Sequence, residues 1–438
     1  MVKRRKTNRA VRQPRRALPP PPPYWRGRPS SPFGHEILEE TGDEAALSLA
    51  LWRAARRVRT WVEAGGEKRR ARGPGDGEIE RYPAEMDEAS IAELLSRLDA
   101  LDSSASAREV GFACHDLAAW AGAADFKETR LHFAELAARS DPENPAWSNL
   151  AGRLCREAGL FDRAELWFER GYRLASRLKA HDEAVRALLG NGAVMKERGR
   201  AGVARRWFLR GARRAGRTGR RGLSAEARHD LLTLAAERGD LAEVVEHATA
   251  AIELYPLNNP RMPYLAHDFA FVLIRKRLYS LALPLLEAFL KVIPTHDLLP
   301  GLSTLGWAAA GCGLAHRYEY AERGTLKRLA ADRRQAAASL IHLAEGACLL
   351  GRWQQSESYA SRAAAAAAER GHHDLEAEAT ALLAAVRTRT PAKPADAAET
   401  QELQRLSRYF ALRLRRWKGP QAKAIREDSL ARAAGGAG

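Results

Sequence analysis

Residues 152–171 read GRLCREAGLFDRAELWFERG, and residues 192–211 read GAVMKERGRAGVARRWFLRG. Shifted by forty positions, Gly152, Gly159, Ala164, Phe168 and Gly171 fall on Gly192, Gly199, Ala204, Phe208 and Gly211, and Trp167 falls on Trp207. Phe161 meets Ala201 instead. A further step reaches Gly239, followed by Leu241, Ala248 and Ala251. Later units shorten to about 36–38 residues, with turns near Arg277-Leu278, Gly313-Leu314 and Gly351-Arg352, and an earlier unit turns near Asp125. A period of this length marks stacked units that cannot bury their apolar faces alone.

The pattern inside each unit predicts two antiparallel helices of about 14–17 residues. Glycine, or a short polar residue, lets the first helix stop in a left-handed cap. An aromatic or leucine two residues on opens the second helix: Phe161, Leu241, Tyr279, Trp353. A small residue then allows close approach: Ala164, Ala204, Ala282, Ser356. Trp207 and Phe208 are expected in the core.

These residues resemble the tetratricopeptide repeat family, in a long variety with a period near forty. Leu305-Gly306 matches that family's Leu-Gly pair, and Ala151-Gly152 matches its glycine. Gly159, Gly199, Gly239 and Gly351 match the turn glycine, and Ala164, Ala204 and Ala282 the packing alanine. Phe168 and Phe208 match the aromatic, and Pro142, Pro256 and Pro294 the closing proline. The unit near 300–331 departs, with Tyr318 where alanine belongs. The resemblance implies an all-α, right-handed solenoid of about seven hairpins. It also implies a concave groove lined by the first helix of each hairpin, which places Asn149, Arg153, Arg156, Lys196, His229, His267, Phe271 and Trp307 there.

Outside the repeats, residues 1–34 combine a basic run with the proline tract Pro19–Pro23 and read as a disordered arm. Residues 35–86 hold a helix over about 42–64, with Leu47, Leu51, Ala54, Val58, Trp61 and Val62 at helical spacing, and then a Gly-rich charged loop. The repeats occupy 87–390. Residues 391–438 open with Pro391 and Pro394 and carry a last amphipathic helix over about 399–418. Its stripe of Leu403, Leu406, Phe410, Leu414 and Trp417 suits a cap on the solenoid, a partner's groove or an anionic membrane surface, with the cap preferred.

The formal net charge is +17 over 438 residues, and it is concentrated at the ends. Residues 1–30 carry +10 and residues 401–438 carry +6, so the body is nearly neutral. Within it, 196–228 holds twelve Lys/Arg against two acids. Arg206, Arg210, Arg213, Arg214 and Arg217 cluster on one side of a helix. They read either as a patch for phosphate or an acidic partner, or as a solvated face paired with acids on neighbouring repeats; the second reading is preferred.

No apolar stretch is long enough to span a bilayer, and no apolar segment follows the basic N-terminus as in a secretory signal. Cys114, Cys155, Cys312 and Cys348 lack metal-ligand spacing, which fits a reducing cytoplasm. Phosphate-loop, dinucleotide, zinc-protease and serine-hydrolase motifs do not occur. His372-His373-Asp374 reads as a turn with Asp374 as helix N-cap, not a metal site. The sequence therefore points to a cytoplasmic, bacterial, non-catalytic scaffold with no cofactor, holding a protein or peptide in its groove. The alternative is a nucleic-acid-associated regulator using the basic arm and the 196–228 patch.

Overall fold

The computed structural model describes residues 18–27, 30–41, 45–66, 86–102, 104–294, 298–329, 335–389 and 401–418. The first seventeen residues, the Gly-rich segment 67–85, Pro391 and Pro394, and the tail from 419 onward lie outside the described residues. The described residues are helical, with no strand among them. The chain divides into two compact units, Met1–Thr218 and Gly219–Gly438.

Unit 1 begins with α1 (His35–Glu40), α2 (Ala45–Glu63) and α3 (Glu88–Asp99). Three helix pairs follow: α4 (Ala107–Ala123) with α5 (Lys127–Ser140), α6 (Pro145–Glu157) with α7 (Phe161–Leu178), and α8 (His181–Glu197) with α9 (Ala201–Arg217). Unit 2 holds α10 (Arg221–Glu237) with α11 (Leu241–Leu254), α12 (Met262–Arg275) with α13 (Tyr279–Phe289), α14 (Leu298–Gly311) with α15 (Ala315–Leu329), and α16 (Ala336–Leu349) with α17 (Trp353–Glu369). It closes with α18 (His373–Arg387) and α19 (Gln401–Arg415). Neighbouring helices thus pack in pairs, as the forty-residue pattern requires.

One turn is used throughout. Asp125, Gly159, Gly199, Gly239, Arg277, Gly313 and Gly351 all have φ between 62° and 73°. The following residue donates its backbone N–H five positions back, as in Leu160 to Cys155, Arg200 to Met195 and Arg352 to Ala347. That bond satisfies a carbonyl left open at the helix end and reverses the chain in a few residues. Asp125 and Arg277 adopt the same left-handed conformation with a side chain attached, at some cost in strain.

The repeated small and aromatic positions interlock. Phe168 and Phe208 are buried. A Cβ on Gly152 would stand 2.9 Å from the Phe168 ring, and one on Gly192 would stand 2.4 Å from the Phe208 ring. Ala164, Ala204, Ala282 and Ser356 are fully buried where the pairs touch. Tyr318, out of place in the small-residue pattern, is fully buried too. Its room comes from Gly346, where a Cβ would stand 2.6 Å from the ring, and its hydroxyl donates to the Leu343 carbonyl at 2.9 Å.

The ends depart from expectation. The disordered-arm reading is corrected for residues 18–27, which lie against α5 and α7. Arg139 of α5 donates to the Pro22 carbonyl and packs on the Tyr24 ring, and Arg170 of α7 donates to the Pro19 carbonyl at 2.7 Å. Three residues are one turn of a polyproline helix, so those two carbonyls face the same way. The Trp25 indole donates to Glu128 at 3.0 Å. The Glu40 carboxylate accepts the first backbone N–H groups of α5, from Glu128 at 3.0 Å and Thr129 at 2.8 Å, completing a helix N-terminus from another element.

The stripe on α19 is likewise covered by its own unit. Leu403, Leu406, Phe410, Leu414 and Trp417 are all buried against α11, α12 and α13. Phe410 stacks on Phe269 at 5.0 Å, and the Trp417 indole donates to the Asn259 carbonyl at 3.0 Å. The stripe is therefore not available to a membrane or a partner in this arrangement. His372, not Asp374, is the N-cap of α18, and Asp374 sits in its first turn. No helix of the described residues is long and apolar enough to cross a membrane.

Candidate functional site

The residues assigned to a groove fall in both units and have different fates. In unit 1, Asn149 is buried and donates to Glu183 of the next pair, to its backbone carbonyl at 2.9 Å and its carboxylate at 2.7 Å. That is packing between pairs, and it corrects the placement of Asn149 on an open face. Arg153 pairs with Glu157 at 3.6 Å, and Arg156 pairs with Glu197. Lys196 is half-buried in the last turn of α8.

In unit 2 the four assigned residues belong to one connected row across α10, α12, α14 and α16. His229 Nε2 lies 2.8 Å from Asp268 Oδ2. Asp268 Oδ1 lies 3.4 Å from His267 Nδ1, whose ring continues to Thr304 Oγ1 at 3.4 Å. His342 Nδ1 lies 3.0 Å from Ser303 Oγ. Its ring stacks on Trp307 at 5.4 Å and tilts toward Phe271 at 5.6 Å. Trp307 is buried and forms a wall of this row.

Sequence reasoning missed Asp268, Ser303, Thr304 and His342. A positional signal for three of them exists. Asp268, Thr304 and His342 each stand nine residues before the left-handed turn residue of their pair, Arg277, Gly313 and Gly351. The same face of each of three first helices therefore carries them.

Electrostatics sets the charge state at two points of the row, Asp268 and His342. Burial would raise the Asp268 carboxyl, but hydrogen bonds and charge from His229 and His267 hold it well below the usual carboxylate range. Burial, with smaller contributions from His267 and Arg275, pushes His342 down to about 3, so its ring is neutral at pH 7. Asp268, His267 and Thr304 follow one another in the order of a catalytic relay. However, Thr304 donates to the Pro300 carbonyl at 2.7 Å, and the relay contacts are longer than an activated nucleophile uses. Among the described residues, no group of three or more His, Cys, Asp or Glu is arranged to hold a metal ion.

The basic residues lie on α9 in unit 1. Arg206, Arg210, Arg213 and Arg217 are exposed, and Arg214 is half-buried. The preferred reading, a face neutralised by neighbouring acids, is corrected: among the described residues none of the five forms an ion pair. Instead Arg210 and Arg214 donate to the Tyr172 hydroxyl of α7 at 2.9 and 3.4 Å, and both guanidiniums lie on its ring. Phe208 is in the core, but Trp207 is only half-buried, with Arg210 5.3 Å from its ring.

No protein-family model matches the chain, and no curated protein matches it in sequence.

Proposed function

We propose that this chain is a non-catalytic scaffold of the tetratricopeptide kind, a cytoplasmic right-handed solenoid of about seven hairpins that holds an extended segment of another protein. The observation that carries the reading is the row in unit 2. Asp268, His267 and Thr304 supply acceptors and donors that an extended backbone needs, and Phe271 and Trp307 supply apolar walls beside them. These groups come from successive first helices, which is how a repeat array presents a long surface. The non-catalytic reading rests on the engagement of Thr304 with a backbone carbonyl.

The test is site-specific photocrosslinking. A benzophenone amino acid in place of Phe271 is expected to capture a polypeptide in cells, and Asp268→Lys to abolish the product. Failure to capture any polypeptide, or capture indifferent to Asp268→Lys, counts against the groove.

A further inference from the structure

A cleft of about 600 Å³ opens between α7 and α9, lined by Leu18, Glu169, Tyr172, Arg173, Ser176, Arg177, Arg210 and Arg214. Glu169 is neutralised by Arg173 at 2.5 Å, so the cleft is strongly positive. Two buried donors on residues that line the cleft, Ser176 Oγ and Arg214 Nε, have no hydrogen-bond partner. Such donors are costly unless an acceptor meets them. Tyr172 holds Arg210 and Arg214 side by side, which removes much of the entropy cost of ordering two long side chains. Next to this cleft lies a second one, formed by Arg210, Arg213 and Arg217 alone.

The docked proline segment adds what the sequence could not show. Because Arg170 fixes Pro19, the chain reaches the cleft rim at Leu18. Residues 1–17, which contain eight Lys/Arg and no acid, precede that point in the sequence. The arginines that line the two clefts call for an anionic partner. Trp207 supplies the second half of the chemistry: a half-exposed indole under Arg210, where its repeat counterpart Trp167 is fully buried. Arginines for phosphates with an aromatic face for a base are the pairing that single strands use.

We propose that the α7–α9 face binds single-stranded nucleic acid, with Arg210, Arg213, Arg214 and Arg217 on backbone phosphates and Trp207 stacked on a base. Tyr172 is a positioning residue for the arginine pair. This surface is separate from the unit 2 row and stands or falls independently of it.

The experiment is fluorescence anisotropy on the full chain at near-physiological salt. The probes are labelled single strands of RNA and of DNA with one sequence, about 15 nucleotides long, the corresponding duplex, and a phosphorylated acidic peptide. Binding to either single strand is expected, the two strands distinguishing RNA from DNA preference. Arg210→Ala with Arg214→Ala should weaken it about tenfold or more and flatten the log–log salt slope by about 1.4, near 0.7 for each phosphate lost. Arg213→Ala with Arg217→Ala, both exposed positions, should act in the same direction without threatening the fold. Trp207→Leu should weaken binding about fivefold or more with the slope unchanged. Arg405→Ala with Arg408→Ala removes equal charge from α19 and should change little. The proposal is overturned if no single strand binds, if the α19 control loses as much as the α9 pairs, or if the duplex or the phosphopeptide binds more tightly than the strands.

Discussion

Arg139 reaches the carbonyl of Pro22, 117 residues earlier in the chain, and its guanidinium carbon lies 3.9 Å from the centre of the Tyr24 ring. A buried guanidinium that meets a backbone carbonyl and an aromatic face anchors the proline segment from one side. Arg26, exposed at the far end of that segment, is the reporter. Trypsin should cut after Arg26 slowly in the native chain and at least several-fold faster in Arg139→Ala, because local opening then requires less free energy. Equal cutting rates would show that the segment is held by something else.

The glycine–aromatic contacts give a prediction about the repeat itself. Gly192→Ala puts a methyl 2.4 Å from the Phe208 ring and should cost about 1–3 kcal/mol. Ala204→Trp, at a fully buried contact between paired helices, should destabilise at least as strongly. Arg277→Gly should do the opposite and stabilise by up to about 1 kcal/mol, since it relieves a left-handed side-chain-bearing residue. Urea midpoints for the three variants decide it; a lower midpoint for Arg277→Gly would place that turn outside the shared pattern.

This contrast also shows what the sequence could disclose. Turns were legible because one backbone conformation recurs at fixed spacing, and Gly159 or Gly351 announces it. Tyr318 was not legible, because its room comes from Gly346 on the next pair. The proline segment was illegible for a different reason. It is held by its own backbone carbonyls, which carry no residue signature and accept from Arg139 and Arg170 across more than a hundred residues. Of the candidate site, His267, Phe271 and Trp307 were found by helix face, whereas Asp268 and His342 required the offset from the turn to be read across pairs.

Glu36 in α1 offers a pH test. Its buried carboxylate lies 3.1 Å from His132 and accepts the Gly27 N–H. Burial alone would raise it, but these hydrogen bonds and the imidazole bring it to about 2 from an ordinary value of 4.5. A lowered carboxyl stabilises above its unfolded value, and that stability is lost as pH falls through the folded value. Glu36→Gln should therefore cost on the order of 2 kcal/mol at pH 7. The gap from the native protein should close as pH falls from about 4.5 toward 2. Thermal melts across that range check it; a constant gap would deny the carboxylate any role as an ion.

His342 runs in the same direction for the opposite reason. Its folded value, about 3, lies below the ordinary 6.5, so the unfolded chain binds a proton that the native ring refuses. Stability should fall as pH drops from about 6.5 toward 3, by up to about 1.4 kcal/mol per pH unit from this group. His342→Phe, which keeps a ring against Trp307 and Phe271, should flatten that part of the profile. An unchanged slope would assign the effect to another group.

The return of α19 to α11–α13 bears on how unit 2 comes apart under load. In an array whose members touch only their neighbours, the terminal helix can peel away first. Here α18 ends the run of stacked pairs, yet the chain beyond it is pinned back by Phe410 on Phe269 and by Trp417 at Asn259. An unfoldase pulling from the C-terminal side meets that latch before any pair. Releasing it uncovers the apolar side of three helices at once, so the resistance to extraction is concentrated in one step at the beginning.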